Sequence, residues 1–122
     1  MNPILTKSYD AEAAITARRI VKFGAADYGV VQGAANTDAL IGVADLGADA
    51  AGDRVDVHRG GLADVEYGGN VTRGDLLTTD GNGRAITAVA GAGVRAIGVA
   101  EVSGVLGDIG KVLIAPCIVA AS

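Results

Sequence analysis

Tryptophan is absent from this 122-residue chain and phenylalanine occurs once, so large aromatic side chains cannot build the core, as they do in most small domains. The single cysteine, Cys117, excludes an intramolecular disulfide, and the fold needs no oxidising compartment. Set in an apolar run, Cys117 reads as a small buried filler rather than a nucleophile. With His58 as the only histidine and no second cysteine, a zinc site is excluded on count. Cations are in the minority: 10 Lys and Arg stand against 14 Asp and Glu, a net charge of −4. That balance argues against a nucleic-acid partner, which requires a basic face to displace counterions. No apolar run approaches the roughly 18 residues of a membrane span. Met1–Arg19 lacks the basic-then-apolar layout of a signal peptide. The expectation is a soluble protein with no membrane partner, made in the cytoplasm.

In place of aromatics the chain has 23 Ala and 19 Gly. Its core must come from Val, Ile, Leu and Ala, with backbones approaching closely at glycine. A mean hydropathy of +0.39 excludes a disordered chain. A domain this small buries only about two-thirds of its unfolded surface, which favours a component of an assembly.

An internal repeat organises the sequence. Ile41-Gly-Val-Ala44 followed by Asp45 recurs about 56 residues later as Ile97-Gly-Val-Ala100 followed by Glu101. At the same spacing Ile20-Val21 falls on Leu76-Leu77 and Val30 on Ile86. After one inserted residue, Arg54-Val-Asp-Val57 aligns with Lys111-Val-Leu-Ile114. The repeated unit is made of strands: Arg54–His58 alternates at period two, and Gly29–Gly33 and Arg84–Val89 are short β-favouring runs. Asp80-Gly-Asn-Gly83 is a hairpin turn, with further turns at Gly24–Asp27, Ala50–Asp53, Gly68–Asn70 and Gly104–Gly107. Asp10–Arg19 is the one stretch with helical character, Asp10 capping an Ala-rich turn, although Ile15, Thr16 and Ile20 fit a strand almost as well. The expected fold is all-β, a small closed or sandwiched domain with an internal pseudo-repeat (spacing of about 56 residues) and an extended N-terminal arm. Residues 1–15 form the arm, and 16–122 form one β domain of two similar halves, about 19–58 and 75–115. An arm carrying Pro3, Ile4 and Leu5 pairs either with its own barrel or with a neighbour by strand addition.

Reactive motifs fail one by one. Gly104–Val112 superficially resembles a phosphate-binding loop, but Val105 stands where the first Gly is required and Val112 where a hydroxyl must follow Lys111. No Gly-x-Ser-x-Gly elbow accompanies His58. Asp53, Asp56, Asp64 and Glu66 are close enough in sequence for paired-carboxylate chemistry, yet they fit better as outward positions of alternating strands. Asn70-Val71-Thr72 matches a glycosylation pattern by chance, given no secretory signal. Arg18, Arg19 and Lys22 are too few for a nucleic-acid groove and suit an acidic protein surface or solvent. No cofactor is expected.

Asn2-Pro-Ile-Leu-Thr-Lys7, Arg19-Ile-Val-Lys-Phe-Gly24, Ala39-Leu-Ile-Gly-Val43, Gly52-Asp-Arg-Val-Asp-Val57, Val71-Thr-Arg-Gly-Asp-Leu76 and Ala96-Ile-Gly-Val-Ala100 together resemble the tailed-phage capsid cement, or head decoration, proteins. The likeness runs over nearly the whole chain and rests on order and spacing. Some relatives carry a RecA-like recombinase label, against which the failed nucleotide loop and the acidic balance both speak. The resemblance implies a small β-barrel or tulip-like fold and a non-enzymatic structural virion protein, a homotrimer on the outer surface of the phage head that clamps the major capsid protein. It further implies that Asn2, Pro3, Ile4, Leu5, Thr6 and Lys7 contact the capsid or a neighbouring protomer. Two other classes stay open: a tail or baseplate barrel, and a small ligand-binding or enzymatic barrel using the Asp53–Glu66 carboxylates.

Overall fold

The computed structural model describes residues 5–89, 91 and 93–118. Ten strands follow in order: β1 (Leu5–Ala11), β2 (Ile20–Phe23), β3 (Gly29–Gln32), β4 (Leu40–Ala44), β5 (Arg54–Gly60), β6 (Leu62–Glu66), β7 (Leu76–Thr79), β8 (Ala85–Thr87), β9 (Arg95–Ala100) and β10 (Ile109–Ile118). The fold is all-β, and the described residues contain no helix. β1, β3, β2, β4 and β5 close into a barrel, and β6, β10, β9, β7 and β8 form a second sheet.

Asp10–Arg19 is not helical. Its first two residues end β1, and the rest turns across the barrel end with Ile15 bridged to Ala48. Two exchanged backbone bonds between Ile15 and Ala48 satisfy groups that a helix would have used internally.

The two halves share one hydrogen-bond plan. Rungs Ile20↔Val43 and Val21↔Gly42 repeat as Leu76↔Val99 and Leu77↔Gly98. The bridge Ile15↔Ala48 repeats as Val71↔Gly104. Backbone bonds Ala11 N–H to Asp53 O and Gly52 N–H to Ala11 O repeat as Tyr67 to Asp108 and Gly107 to Tyr67. The repeat therefore begins earlier in space than in sequence, because β1 is the counterpart of β6. Each runs antiparallel to the last strand of its own half, with Ser8 opposite Asp56 and Asp64 opposite Lys111. The parallel pairing that closes the barrel, β1 with β3, persists in the second half as the single bridge Tyr67↔Ala85.

Two alignments need correction. Phe23↔Val30 repeats as Thr79↔Ala85, so Val30 corresponds to Ala85 and not to Ile86, the second hairpin being one residue shorter. The other lies at the end of the repeat. Asp45 N–H donates to Asp56 O, and Glu101 N–H donates to Lys111 O, so Asp56 corresponds to Lys111 and Val57 to Val112. The second copy is one residue shorter at this point, not one longer. A similar alternation of apolar residues two positions along disguises the true register.

Each half buries its own cluster, and a third surface joins them. Tyr9, Val21, Val30, Ile41, Val55 and Val57 fill the barrel. Val65, Tyr67, Leu77, Ile97 and Val112 fill the second sheet, joined by Ile20, Leu40 and Val43 from the outer faces of β2 and β4. That is why β4 is buried at every position. A bulge at Ile41, opposite the Val21–Lys22 step, lets the strand serve both clusters. The glycine of each Ile-Gly-Val-Ala segment lies against the neighbouring strand, where a Cβ at Gly42 would overlap the His58 carbonyl and one at Gly98 the Leu113 carbonyl.

Candidate docking surface

Residues Leu5, Thr6 and Lys7 pair with Gly60, His58 and Val57 of β5, with a bulge at Arg59 between the first two rungs, so this part of the arm is built into its own barrel. Asn2, Pro3 and Ile4 lie outside the described residues. The Thr6 hydroxyl and His58 Nδ1 share a hydrogen bond of 2.9 Å, and both Thr6 and Lys7 are exposed.

Alternation along three strands makes the open end of the barrel. Tyr9 and Ala11 on β1 point inward, as do Val55 and Val57 on β5 and Val21 on β2. Continuing each strand by two residues brings Lys7, Arg59 and Phe23 to the rim. With Tyr28 from the β2–β3 hairpin they surround a cleft of about 450 Å³ floored by Tyr9. Arg59 Nη1 donates to the Tyr9 hydroxyl at 2.9 Å, and its guanidinium lies 5.8 Å from the Phe23 ring centre. Lys7 Nζ stands 5.5 Å from the Tyr9 ring centre and 5.3 Å from that of Tyr28. Neither cation has a carboxylate partner among the described residues. Three of the four aromatic residues of the chain thus gather at one site, with Phe23 50% and Tyr28 65% exposed.

Tyr28 is held in the left-handed region at φ 62°. The second half places Gly83, φ 78°, at the matching point, one residue before its hairpin closes. A tyrosine there carries strain that glycine would not. Glu12 holds the loop by accepting the amides of Ala25 at 2.8 Å and Ala26 at 2.9 Å. Those amides pull its carboxyl below the usual glutamate range. The Glu12 carboxylate fills the space beside Gly24 and Gly29, where a Cβ would collide with it.

At the matching end of the second half, Ala63, Thr79 and Ile114 replace Lys7, Phe23 and Arg59, and all three are buried. This end is covered by the first barrel. Glu66 N–H donates to Arg18 O, Ile20 N–H to Gly83 O, and Arg19 pairs with Glu66 at 3.3 Å. The covering surface is the outer face of β2 and β4. Its counterpart on the second half, the outer face of β7 and β9, has no cover among the described residues: Leu76 is 37% exposed where Ile20 is fully buried. The rungs Leu76↔Val99, Val99↔Leu113 and Leu113↔Leu62 carry one apolar row across that face.

The carboxylates that sequence left open do not converge. Asp53 accepts from the Ala50 amide, Asp56 accepts from Ser8 Oγ at 2.7 Å, Asp64 pairs with Lys111 and Glu66 with Arg19. Among the described residues no cluster of His, Cys, Asp and Glu has metal-binding geometry. Of the small basic cluster, Arg19 and Lys22 are paired within the chain, Lys22 with Asp38 at 3.2 Å, and Arg18 is exposed. Burial pushes the Asp38 carboxyl up, but the amides of Ala34 and Ala35 and the Lys22 ammonium outweigh it and hold the carboxyl below its usual range. Cys117 is exposed rather than buried, because β10 runs past the end of β6 and Cys117 is paired on one side alone, with Ala96 of β9. The aromatic and cationic rim was not foreseen from sequence. Its members lie far apart in the chain and are individually unremarkable; the only local hint was that Tyr28 directly precedes Gly29 in a turn.

Two linked β bodies thus carry exposed aromatic and apolar surfaces at their described ends. The chain matches the model of the phage cement proteins over residues 2–105 and belongs to that family, a family of virion structural proteins. Comparison with curated proteins gives no match. Among solved structures, the fold is shared with the N base of head fiber gp8.5 of bacteriophage phi29. The identity is 22% and the TM-score 0.71, over 91% of this chain and 93% of that one.

Proposed function

We propose that the chain binds the outer surface of a phage head as a homotrimer and cements the shell by adhering to the major capsid protein. The family match carries this reading. The fold shared with a head fiber base favours the head over the tail or baseplate. Cementing demands no chemistry. It requires a stiff body and several weak contacts made at once, whose combination gives slow release. Short strands and tight turns rich in Ala and Gly lose little side-chain entropy on docking.

The Asn2–Lys7 segment is the proposed contact with the capsid or a neighbouring protomer. Thr6 and Lys7 support it by their exposure at the rim. A second apolar contact is available where Val102, Val105, Leu106 and Ile109 are all exposed around the β9–β10 turn. Purified protein added to undecorated heads of its own phage tests the reading. Saturable binding with a fixed ratio to capsid subunits, and a raised temperature of head disruption, are expected. Heads that neither bind the protein nor gain stability would refute it.

A further inference from the structure

The chain contains one interface between its two halves, and it leaves both matching surfaces of that interface unused at the opposite ends. The outer face of the first barrel, Ile20 and Val43, covers the end of the second half at Ala63 and Ile114. Among the described residues, what remains open is the end of the first barrel and the outer face of the second half, the row through Leu76, Val99 and Leu113. We propose that these two surfaces bind each other between copies of the chain, head to tail, the apolar row of one copy seating on the open end of the next. The inference deepens the proposed homotrimer and rests on it: a heterologous contact of this kind closes into a ring when its rotation permits.

Charge and composition support a second copy as the occupant. The open end has two cations without carboxylate partners among the described residues, Lys7 and Arg59, on a chain of net charge −4. Beside the apolar row the exposed Glu101 stands opposite Lys111, whose charge is already matched by Asp64, which leaves that edge with a net negative charge. The internal contact is permanent and uses small and aliphatic residues, Ala63, Thr79 and Ile114. The matching Lys7, Phe23 and Arg59, with Tyr28 in a strained conformation, have the aromatic and arginine character of interfaces between separately folded chains. Strain at Tyr28 is what a binding role would preserve against the glycine used in the other half.

Mixing two defective variants tests this. Leu76→Glu/Leu113→Glu spoils the row and leaves the open end intact. Lys7→Glu/Tyr28→Gly spoils the open end and leaves the row. By light scattering after gel filtration, wild type is expected as a trimer, and each variant alone as a monomer, with at least a tenfold loss of self-affinity. A mixture of the two forms a one-to-one dimer and nothing larger, because one sound contact remains between them. Both sites are exposed, and an unchanged circular-dichroism spectrum with cooperative melting confirms folding; Tyr28→Gly alone, which relieves strain, serves if the double variants do not fold. Variants that keep the wild-type mass, or variants that stay monomeric when mixed, overturn the inference and leave the trimer itself standing. A monomeric wild type that still binds heads overturns it and leaves capsid binding standing. If Tyr28→Gly weakens head binding without altering the solution mass, the open end belongs to the capsid and the inference is likewise overturned.

Discussion

Replacing three glycines by alanine separates three physical causes within this one fold. At Gly98 a Cβ would overlap the Leu113 carbonyl oxygen and lie 2.9 Å from its carbon and 3.1 Å from the Ala115 nitrogen. These are backbone atoms of β10 in mid-sheet, so the strand itself must move, and nothing flexible can absorb the clash. Overpacking of that kind costs about 1–3 kcal/mol, and a backbone obstacle puts Gly98→Ala at the upper end, about 3 kcal/mol. Gly107 has φ +90° with open space around it, so Gly107→Ala costs only the left-handed conformation, about 1 kcal/mol. Gly81 has neither obstacle nor positive φ, and Gly81→Ala is neutral or stabilising by about 0.5 kcal/mol through the unfolded chain. For a chain of this size roughly 3–6 °C of melting temperature correspond to each kcal/mol. The expected shifts are about −13 °C, about −4 °C and slightly positive. Thermal melts with urea titrations at 25 °C, both followed by circular dichroism, measure the series. If Gly98→Ala and Gly81→Ala differ by less than about 0.5 kcal/mol, the close approach of β9 to β10 is not what holds glycine in the repeated motif.

Thr78 is 2% exposed and its hydroxyl has no hydrogen-bond partner, so Thr78→Val should raise stability by about 1 kcal/mol, read as a higher urea midpoint at unchanged slope. Glu12 has a lowered carboxyl pKa, so its contribution is complete above the unfolded value, about 4.3, and is lost as pH falls through the native one. The Ala25 and Ala26 amide resonances should therefore move in that acid window, and Glu12→Gln should abolish the movement; amides that ignore both changes would refute the link. Removing Met1–Ala11 deletes β1, with Tyr9 from the barrel core and the whole pairing with β5. The first barrel should then lose cooperative melting, whereas removing Met1–Ile4 takes away no rung of the described sheet and should leave the melt unchanged.

Much of this architecture is determined by local sequence. Period-two alternation in Arg54–His58 matches a strand buried at Val55 and Val57 and exposed at Arg54 and Asp56. Asp80–Gly83 is the turn between β7 and β8, where the Asp80 carboxylate accepts the amides of Asn82 and Arg84. The Ile-Gly-Val-Ala repeat marks β4 and β9 in both halves. These features are legible because turn chemistry, pleat and backbone crowding act over a few residues.

Other features were decided only when distant segments met. β1 and β6 occupy the same place in their halves, yet Thr6-Lys-Ser-Tyr9 and Leu62-Ala-Asp-Val65 share no residue, because one lines an open rim and the other a covered core. Val43 is wholly buried while Val99, the same letter in the same motif, is only half-buried. The difference is that the second half packs on one and none of the described residues packs on the other. The aromatic rim likewise exists only because closure of the barrel brings Lys7, Phe23, Tyr28 and Arg59 to one end. Strand pairing and turn type are written in neighbouring residues, whereas exposure is a property of what the rest of the chain leaves uncovered.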